Sequence, residues 1–251
     1  MISQGVADLV RRPAPGHLAV LPGCTPVVFR GDQPHARVAT IGINPSIREF
    51  LTRGDEELAG PQRRFETLSS LGIASLSEAT DDMVDQVVQR CLDYFVSNPY
   101  RVWFDPMESL VNELFGASYF GSTCCHLDVV QWATRPLWGN LDPSVRSQLV
   151  AGGVEFVRPQ LSHDSLDAVY LNGRTVCEAL ATIIPLSART ARFRDTGPPR
   201  GFFRGLYDGV AVVGCSANLQ VERVRAEDRA AFTAWVIGEC RRDLAAIDVG
   251  S

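Results

Sequence analysis

The sequence predicts an α/β fold, in which one domain is built on a mostly parallel central sheet with helices on both faces. Short apolar segments alternate along the chain with longer segments of helical spacing, which is the order expected of such a sheet. The apolar segments are followed by turn-forming residues. A length of 251 residues suits one large α/β domain, so we expect residues 1–251 to fold as a single unit.

Four short apolar segments predict the strands, at residues 38–43, 124–130, 166–171 and 210–214. Each is apolar enough for a strand that is buried on both faces. Ligands of a parallel sheet bind at the carboxyl ends of its strands. Three of the four segments end in polar, turn-forming residues, and we therefore expect the functional site among residues 42–46, 128–134 and 214–220.

Five segments of helical spacing predict helices, at residues 81–95, 106–115, 142–157, 175–183 and 226–247. For the second of these, Asp105 is predicted as the N-cap and Pro106 as the first helical residue. Asp142 and Pro143 predict the same kind of start for the third helix.

The composition is that of a water-soluble globular protein, with 45% hydrophobic residues and a net charge of −5. The first thirty residues lack the uninterrupted apolar stretch of a signal peptide or a membrane span. We therefore expect a cytoplasmic monomer with no membrane contact. A negative net charge means that any nucleic-acid binding has to depend on a local basic patch.

The basic residues are all arginine, 24 in number, and the chain contains no lysine. This excludes a P-loop, a pyridoxal Schiff base and a lysine-dependent glycosylase-lyase. The seven cysteines are scattered and include no Cys-x-x-Cys pair, so neither a disulfide framework nor a zinc ribbon is indicated. We expect no metal and no cofactor.

Two segments resemble sequence motifs of one enzyme superfamily. Gly42-Ile43-Asn44-Pro45-Ser46 follows a predicted strand and resembles the Gly-Ile-Asn-Pro-Gly motif of the mismatch-specific uracil-DNA glycosylases, differing only in the last residue. Residues 214–220 match the superfamily's second motif in position, length and following helix, but lack its His/Asn and Pro. Asn-Pro after a strand is also an ordinary turn signal, which is the alternative interpretation of the first segment.

The resemblance implies a monofunctional DNA glycosylase, which hydrolyses the bond between a flipped-out base and its sugar. Asn44 would position the attacking water, and the catalytic motifs also contain Gly42 and Ser216. Ile43 and Phe50 would contact the base, with Phe65, Trp103, Phe104 and Tyr119 as further aromatic candidates for stacking. Asn218 or Leu219 would enter the duplex as a wedge, although a loop leucine before a helix is as often a hydrophobic staple.

Asp128 lies where the uracil enzymes place a base-reading asparagine. An ionised carboxylate only accepts hydrogen bonds, so it suits the amino group of a cytosine better than uracil O4. This predicts a modified cytosine as the excised base, for example the hydroxymethylated or glucosylated cytosine of phage DNA, because excising normal cytosine would be lethal. The alternative is that Asp128 caps a turn.

Residues 187–204 contain Arg189, Arg192, Arg194, Arg200 and Arg204 against one acid, Asp195, and predict a phosphate-contacting loop. His126 follows Cys124 and Cys125 in an apolar strand, which could suggest a metal site or a Cys-His nucleophile pair. Adjacent strand residues point to opposite faces, so His126 is interpreted as a core residue.

Three other functions stay open. They are a uracil or mismatch repair glycosylase, a non-catalytic nucleic-acid-binding member of the same fold, and an unrelated hydrolase with Cys215 as nucleophile. Roles in DNA repair and in defence against phages both fit the glycosylase prediction.

Overall fold

The computed structural model describes residues 3–194, 197–222 and 224–248. Within them, six strands form one sheet in the order β2-β1-β3-β6-β5-β4. The strands are β1 (Val38–Gly42), β2 (Cys124–Asp128), β3 (Ala168–Asn172), β4 (Ser187–Arg192), β5 (Pro199–Tyr207) and β6 (Val210–Cys215). The first four strands of that order are parallel, whereas β5 and β4 are added antiparallel at one edge.

Eight α-helices accompany the sheet in the described part of the chain. They are α1 (Gln4–Arg11), α2 (Leu68–Leu71), α3 (Asp81–Leu92), α4 (Tyr94–Ser97), α5 (Arg101–Phe115), α6 (Pro143–Leu161), α7 (Arg174–Leu180) and α8 (Arg229–Asp248). Helix α7 packs against β3 and β6 beside α6, and α8 packs against β5 and β6 beside α5. The prediction of an α/β fold with a mostly parallel sheet is therefore confirmed.

Three of the parallel strands, β1, β2 and β3, are buried along their whole length because both faces of the sheet are covered there. Every residue of β1, β2 and β3 is buried. This explains why these strands have continuous apolar sequences rather than the alternating pattern of a half-exposed sheet. The polar exceptions within them, chiefly Thr40, His126 and Asp128, require partners of their own.

Two local predictions were wrong. Most of the segment predicted as a phosphate-contacting loop is strand, because residues 187–192 of β4 pair antiparallel with residues 199–204 of β5, with Ser187 opposite Arg204. Helix α5 begins at Arg101 rather than at Pro106, which lies inside it. The buried ring of Phe104 packs edge-on against Phe95 and Tyr119 and stabilises the additional first turn.

The predicted start of α6 is confirmed. Pro143 is its first residue, and the Asp142 side chain accepts a hydrogen bond from the Ser144 backbone N–H at 2.7 Å. An aspartate at this position satisfies a backbone donor that the helix itself leaves unpaired.

Candidate active site

A cavity of about 450 Å³ opens at the carboxyl ends of β1, β2 and β3. Residues 42–46, the end of β2 and Asn218 all line it, so each of the three segments expected to form the site contributes to it. Parallel strands that end at one edge of a sheet bring residues distant in sequence together there. Of the predicted site residues, the cavity contains Gly42, Ile43, Asn44, Asp128 and Asn218, together with Trp103 from the aromatic candidates.

Asn44 lines the cavity with its amide held in one orientation. Its Nδ2 donates to the backbone oxygens of Pro45 and Trp132, at 3.1 and 3.3 Å, and to Thr134 Oγ1 at 3.3 Å. Three acceptors around the nitrogen identify it as the NH₂ group of the amide. The carbonyl oxygen Oδ1 is therefore the atom that Asn44 can offer to a molecule in the cavity.

Asp128 forms the floor of the cavity together with Arg30. Its Oδ2 accepts a hydrogen bond from Arg30 Nη1 at 2.6 Å, and both side chains are almost fully buried. Burial by itself would raise the pKa of Asp128, but the Arg30 guanidinium and His126 outweigh it, so the pKa of Asp128 is lowered. Asp128 is thus ionised at neutral pH.

His126 contacts the second oxygen of Asp128 and connects it to the core. Its Nε2 lies 3.5 Å from Asp128 Oδ1, and its Nδ1 lies 2.8 Å from Thr40 Oγ1, which also contacts the Tyr119 hydroxyl. Burial lowers the pKa of His126, although Asp128 opposes this effect, so the neutral ring is favoured. If Thr40 donates to Nδ1, the single ring proton lies on Nε2 and faces Asp128.

Glu49 is a second buried carboxyl group at the cavity wall. The short 3₁₀ turn Ile47–Glu49, which follows the Asn44 motif, places it there. The Tyr94 hydroxyl contacts its Oε1 and Oε2 at 2.8 and 3.0 Å, Arg30 Nε lies 3.5 Å away, and Arg64 Nε lies 3.8 Å away. Burial raises the pKa of Glu49 by more than Arg30, Tyr94 and Arg64 lower it.

Gly42 is required by the close approach of this polar cluster to β1. A Cβ atom at Gly42 would lie 2.7 Å from Asp128 Oδ1 and 3.0 Å from His126 Nε2. Both groups are buried and held by partners, so they have little room to retreat. The glycine at this position therefore allows the carboxylate and the imidazole to lie directly against the strand.

The rim of the cavity is aromatic and apolar, with one cation. Trp103 and Trp138 line it, and the exposed side chains of Leu137 and Val221 stand at its mouth, 54% and 62% exposed. Arg174, the first residue of α7, also lines the cavity and makes no ion pair with any residue in the described ranges. Such a rim can contact both a base and the phosphate of its nucleotide.

No protein-family model matches this sequence, and no curated protein is significantly similar to it. The proposals below therefore rest on the motif resemblance and on the geometry of the cavity.

Three of the residues predicted for catalysis, base contact or duplex entry lie outside the cavity. Phe50 is 2% exposed and packs against Phe65 in the core, so its ring is not placed to stack on a bound base. Leu219 is 4% exposed and buried, so it cannot act as a wedge without leaving the core. The Ser216 hydroxyl accepts a hydrogen bond from the Gly201 backbone N–H at 2.8 Å, which ties it to β5 rather than to the cavity.

Arg189, predicted to contact phosphates, has a structural role instead. Its guanidinium donates to Asp243 Oδ1 at 2.8 Å and to Glu239 Oε2 at 2.6 Å. Both acids lie on α8 and are buried. Arg189 therefore fastens the edge strand β4 to α8 and compensates two buried charges.

The other arginines of the hairpin also have partners in the described ranges. Asp195, the one acid of that segment, lies outside the described residues. The contacts are Arg192 to the Gly197 backbone oxygen, Arg194 to Asp228, and Arg200 to Glu222. Acids from later segments thus neutralise much of the charge that predicted a phosphate-contacting loop. The sequence pattern missed this because those acids are distant along the chain.

All seven cysteines are buried free thiols. Burial raises the pKa of Cys215 to about 12, so it is not a thiolate near neutral pH and the cysteine-nucleophile hypothesis has no support.

Among the described residues, no group of three or more His, Cys, Asp or Glu side chains is arranged to hold a metal ion. None of the helices in the described ranges is long and apolar enough to cross a membrane.

Arg30 and Glu49 line the cavity although neither was predicted as a site residue, and His126 was predicted only as a core residue. The signal for Arg30 was a charged residue directly after the apolar run Val27, Val28 and Phe29. Its backbone pairs with that of His126 beside β2, which brings its side chain to the cavity floor. A charge embedded in apolar sequence needs a buried partner, and Asp128 is that partner.

Proposed function

We propose that this protein is a monofunctional DNA glycosylase that hydrolyses the N-glycosidic bond of a flipped-out, modified cytosine. The observation that carries the proposal is the presence of Asn44 Oδ1 and the ionised Asp128 in one cavity at the carboxyl ends of parallel strands. One group can position water and the other can accept from an amino-bearing base. A monomer acting on DNA in the cytoplasm is part of this proposal.

The proposed role of Asn44 is to position water rather than to deprotonate it. An amide is a poor base, but a fixed carbonyl oxygen can hold a water molecule against C1′ of the sugar. As the glycosidic bond stretches, C1′ gains positive character and becomes reactive toward that water. The three acceptors around Nδ2 support this role, because they share its two N–H protons and fix the side chain before substrate arrives.

The proposed role of Asp128 is to accept a hydrogen bond from the exocyclic amino group of the base. Arg30 occupies Oδ2, whereas Oδ1 has only the longer 3.5 Å contact with His126 and can accept another donor. Uracil would face this oxygen with its own acceptor O4, which is unfavourable in a dry site. This is the argument for an amino-bearing base over uracil.

The rim supplies the remaining contacts of the proposal. Trp103 and Trp138 replace Phe50 as the aromatic side chains that can stack on the base. Leu137 and Val221 replace Leu219 as apolar groups able to fill the space that the flipped base leaves in the duplex. Arg174 replaces the hairpin arginines as the nearest phosphate contact.

A base-release assay tests the proposal. Duplexes containing uracil, a mismatch, cytosine, hydroxymethylcytosine or glucosylated hydroxymethylcytosine are incubated with the protein, and abasic sites are counted after alkaline cleavage. We expect cleavage at a modified cytosine and little at uracil or cytosine. Efficient excision of uracil would favour a repair glycosylase instead. DNA binding without excision of any base would favour a non-catalytic binding protein.

A further inference from the structure

The departing base has no evident proton donor in the motifs that suggested the function. The second motif lacks the His or Asn of the superfamily, and Ser216 is bonded to Gly201 outside the cavity. A cytosine-type base is a poor leaving group as an anion, so its departure is slow without a proton. Another group of the cavity has to supply one.

Two carboxyl groups line the cavity, and their surroundings differ. Asp128 has the short 2.6 Å contact with Arg30 and a contact with His126, both of which favour its ionised form. Glu49 is the more distant carboxyl on the same guanidinium, at 3.5 Å. Enzymes that hydrolyse glycosidic bonds commonly use two carboxyl groups in this way: one stays protonated and acts as the acid, while the other stays ionised.

The contacts of Glu49 leave one of its oxygens able to donate. The Tyr94 hydroxyl, which accepts from the Tyr100 backbone N–H at 3.0 Å, has one proton to donate to Glu49. Arg64 donates to the backbone oxygens of Asn98 and Arg48, so its guanidinium is shared among other acceptors. Tyr94 has one proton for the two oxygens, so a protonated Glu49 accepts it with one oxygen and keeps the O–H of the other as the proton that it can give to a molecule in the cavity that it lines.

We propose that Glu49 is the catalytic acid that protonates the departing base, an assignment that rests on the proposed glycosylase function. As the C1′–N1 bond breaks, its electron pair stays on the base, and the Glu49 proton moves to O2 or N3 of that base. The water held by Asn44 forms the new C1′–O bond. The proton that this water loses restores the acid form of Glu49 through solvent, so the reaction is a net hydrolysis.

The electrostatic surroundings of Glu49 agree with this role. The charged and titratable groups that face it are Arg30, Arg64, Asp128 and Tyr94, and burial outweighs their combined effect, so its pKa is raised. Because the acid form is the active one, the excision rate in the enzyme–DNA complex falls as pH rises through the pKa of Glu49.

The test compares Glu49→Gln with the parent protein on duplexes containing 5-hydroxymethylcytosine or 5-fluorocytosine, under single-turnover conditions from acid to alkaline pH. The two bases present the same amino edge to Asp128, but fluorine makes the second a better leaving group that depends less on protonation. Glutamine keeps the size of Glu49 and an acceptor for Tyr94. Glu66→Gln is the matched control, because Glu66 is also buried and bonded to an arginine but lies outside the cavity.

We expect Glu49→Gln to slow release of 5-hydroxymethylcytosine by about a hundredfold or more, the usual scale of acid catalysis, and release of 5-fluorocytosine by much less. The alkaline limb of the pH profile should disappear, while Glu66→Gln keeps the parent profile. Tyr94→Phe gives a second readout: loss of the donor to Glu49 should move the alkaline limb to higher pH.

Equal losses on both bases with the alkaline limb retained would overturn the assignment and make Glu49 a structural residue. An unchanged rate would overturn it as well. If the parent protein releases neither base nor any other in the panel above, the proposed function itself fails, and this inference fails with it.

Discussion

Replacing Gly42 by alanine should slow base excision in the cavity while the protein still folds. The added Cβ would lie 2.7 Å from Asp128 Oδ1, and the carboxylate would have to retreat by about 0.7 Å to reach an ordinary contact of 3.4 Å. Asp128 is buried and bonded to Arg30, so the strain falls on Oδ1, the oxygen that we propose accepts from the base. Misplacement of a reacting or positioning group by about 1 Å costs roughly a hundredfold in rate.

We therefore expect Gly42→Ala to lower single-turnover base excision by about tenfold to a hundredfold, and the free energy of unfolding by about 1–3 kcal/mol from overpacking. Rate is measured by base release and stability by urea unfolding. Gly139→Ala is the matched control, because Gly139 lines the same cavity but its added Cβ meets nothing within 4 Å. If both variants excise at the parent rate, Asp128 does not need its observed position and the proposed site is wrong.

Three further predictions follow from the site. Asn44→Ala should slow excision by roughly tenfold to a hundredfold with DNA affinity retained. The control is Asn112→Ala, because Asn112 is exposed on α5 and does not line the cavity, and equal single-turnover rates for both variants and the parent would remove the proposed role of Asn44. Asp128→Asn should raise the ratio of uracil to modified-cytosine excision by about tenfold to a hundredfold. This range is the equivalent of about 1–3 kcal/mol, the cost of one mismatched buried polar contact. A constant ratio would show that Asp128 does not face the base. Arg174→Ala should flatten the salt dependence of DNA binding by about one unit of slope. Arg189→Ala should leave that slope unchanged but lower the free energy of unfolding by about 2 kcal/mol, because two buried acids lose a partner. The reverse pattern in salt titrations and urea unfolding would restore the hairpin as the phosphate contact.

The location of the site could be predicted from the sequence, because strand ends are marked by local patterns. The apolar run of β1 followed by Gly-x-Asn-Pro placed Asn44 at a strand end, and the run of β2 placed Asp128 at the next strand. Parallel pairing then brings both ends to one edge of the sheet, with Gly42 opposite Asp128. Periodicity and turn signals are sufficient for this level of prediction.

The partners of the site residues could not be predicted, because they depend on contacts between distant parts of the chain. Arg30 is 98 residues from Asp128, and Arg189 is 54 residues from Asp243. Local charge density predicted that the hairpin arginines contact phosphates, although α8 supplies buried acids as partners for Arg189. Similarly, Phe50 lies shortly after the first motif segment and Leu219 lies within the second, but both side chains pack in the core.

The most direct test of the central claim is to identify the products from a duplex containing a modified cytosine in water enriched in ¹⁸O. Borohydride added as the reaction stops reduces the abasic aldehyde before its oxygen exchanges with water, and a preformed abasic strand treated in the same way shows how much label enters by exchange. Mass spectrometry should then show the intact free base and an unbroken strand with ¹⁸O at C1′ of the sugar, above the level of that control. Because the chain has no lysine, borohydride should trap no protein–DNA adduct. Free base with no label in the sugar, or a trapped adduct, would contradict hydrolysis by a positioned water, and DNA that stays fully intact would contradict the proposed function.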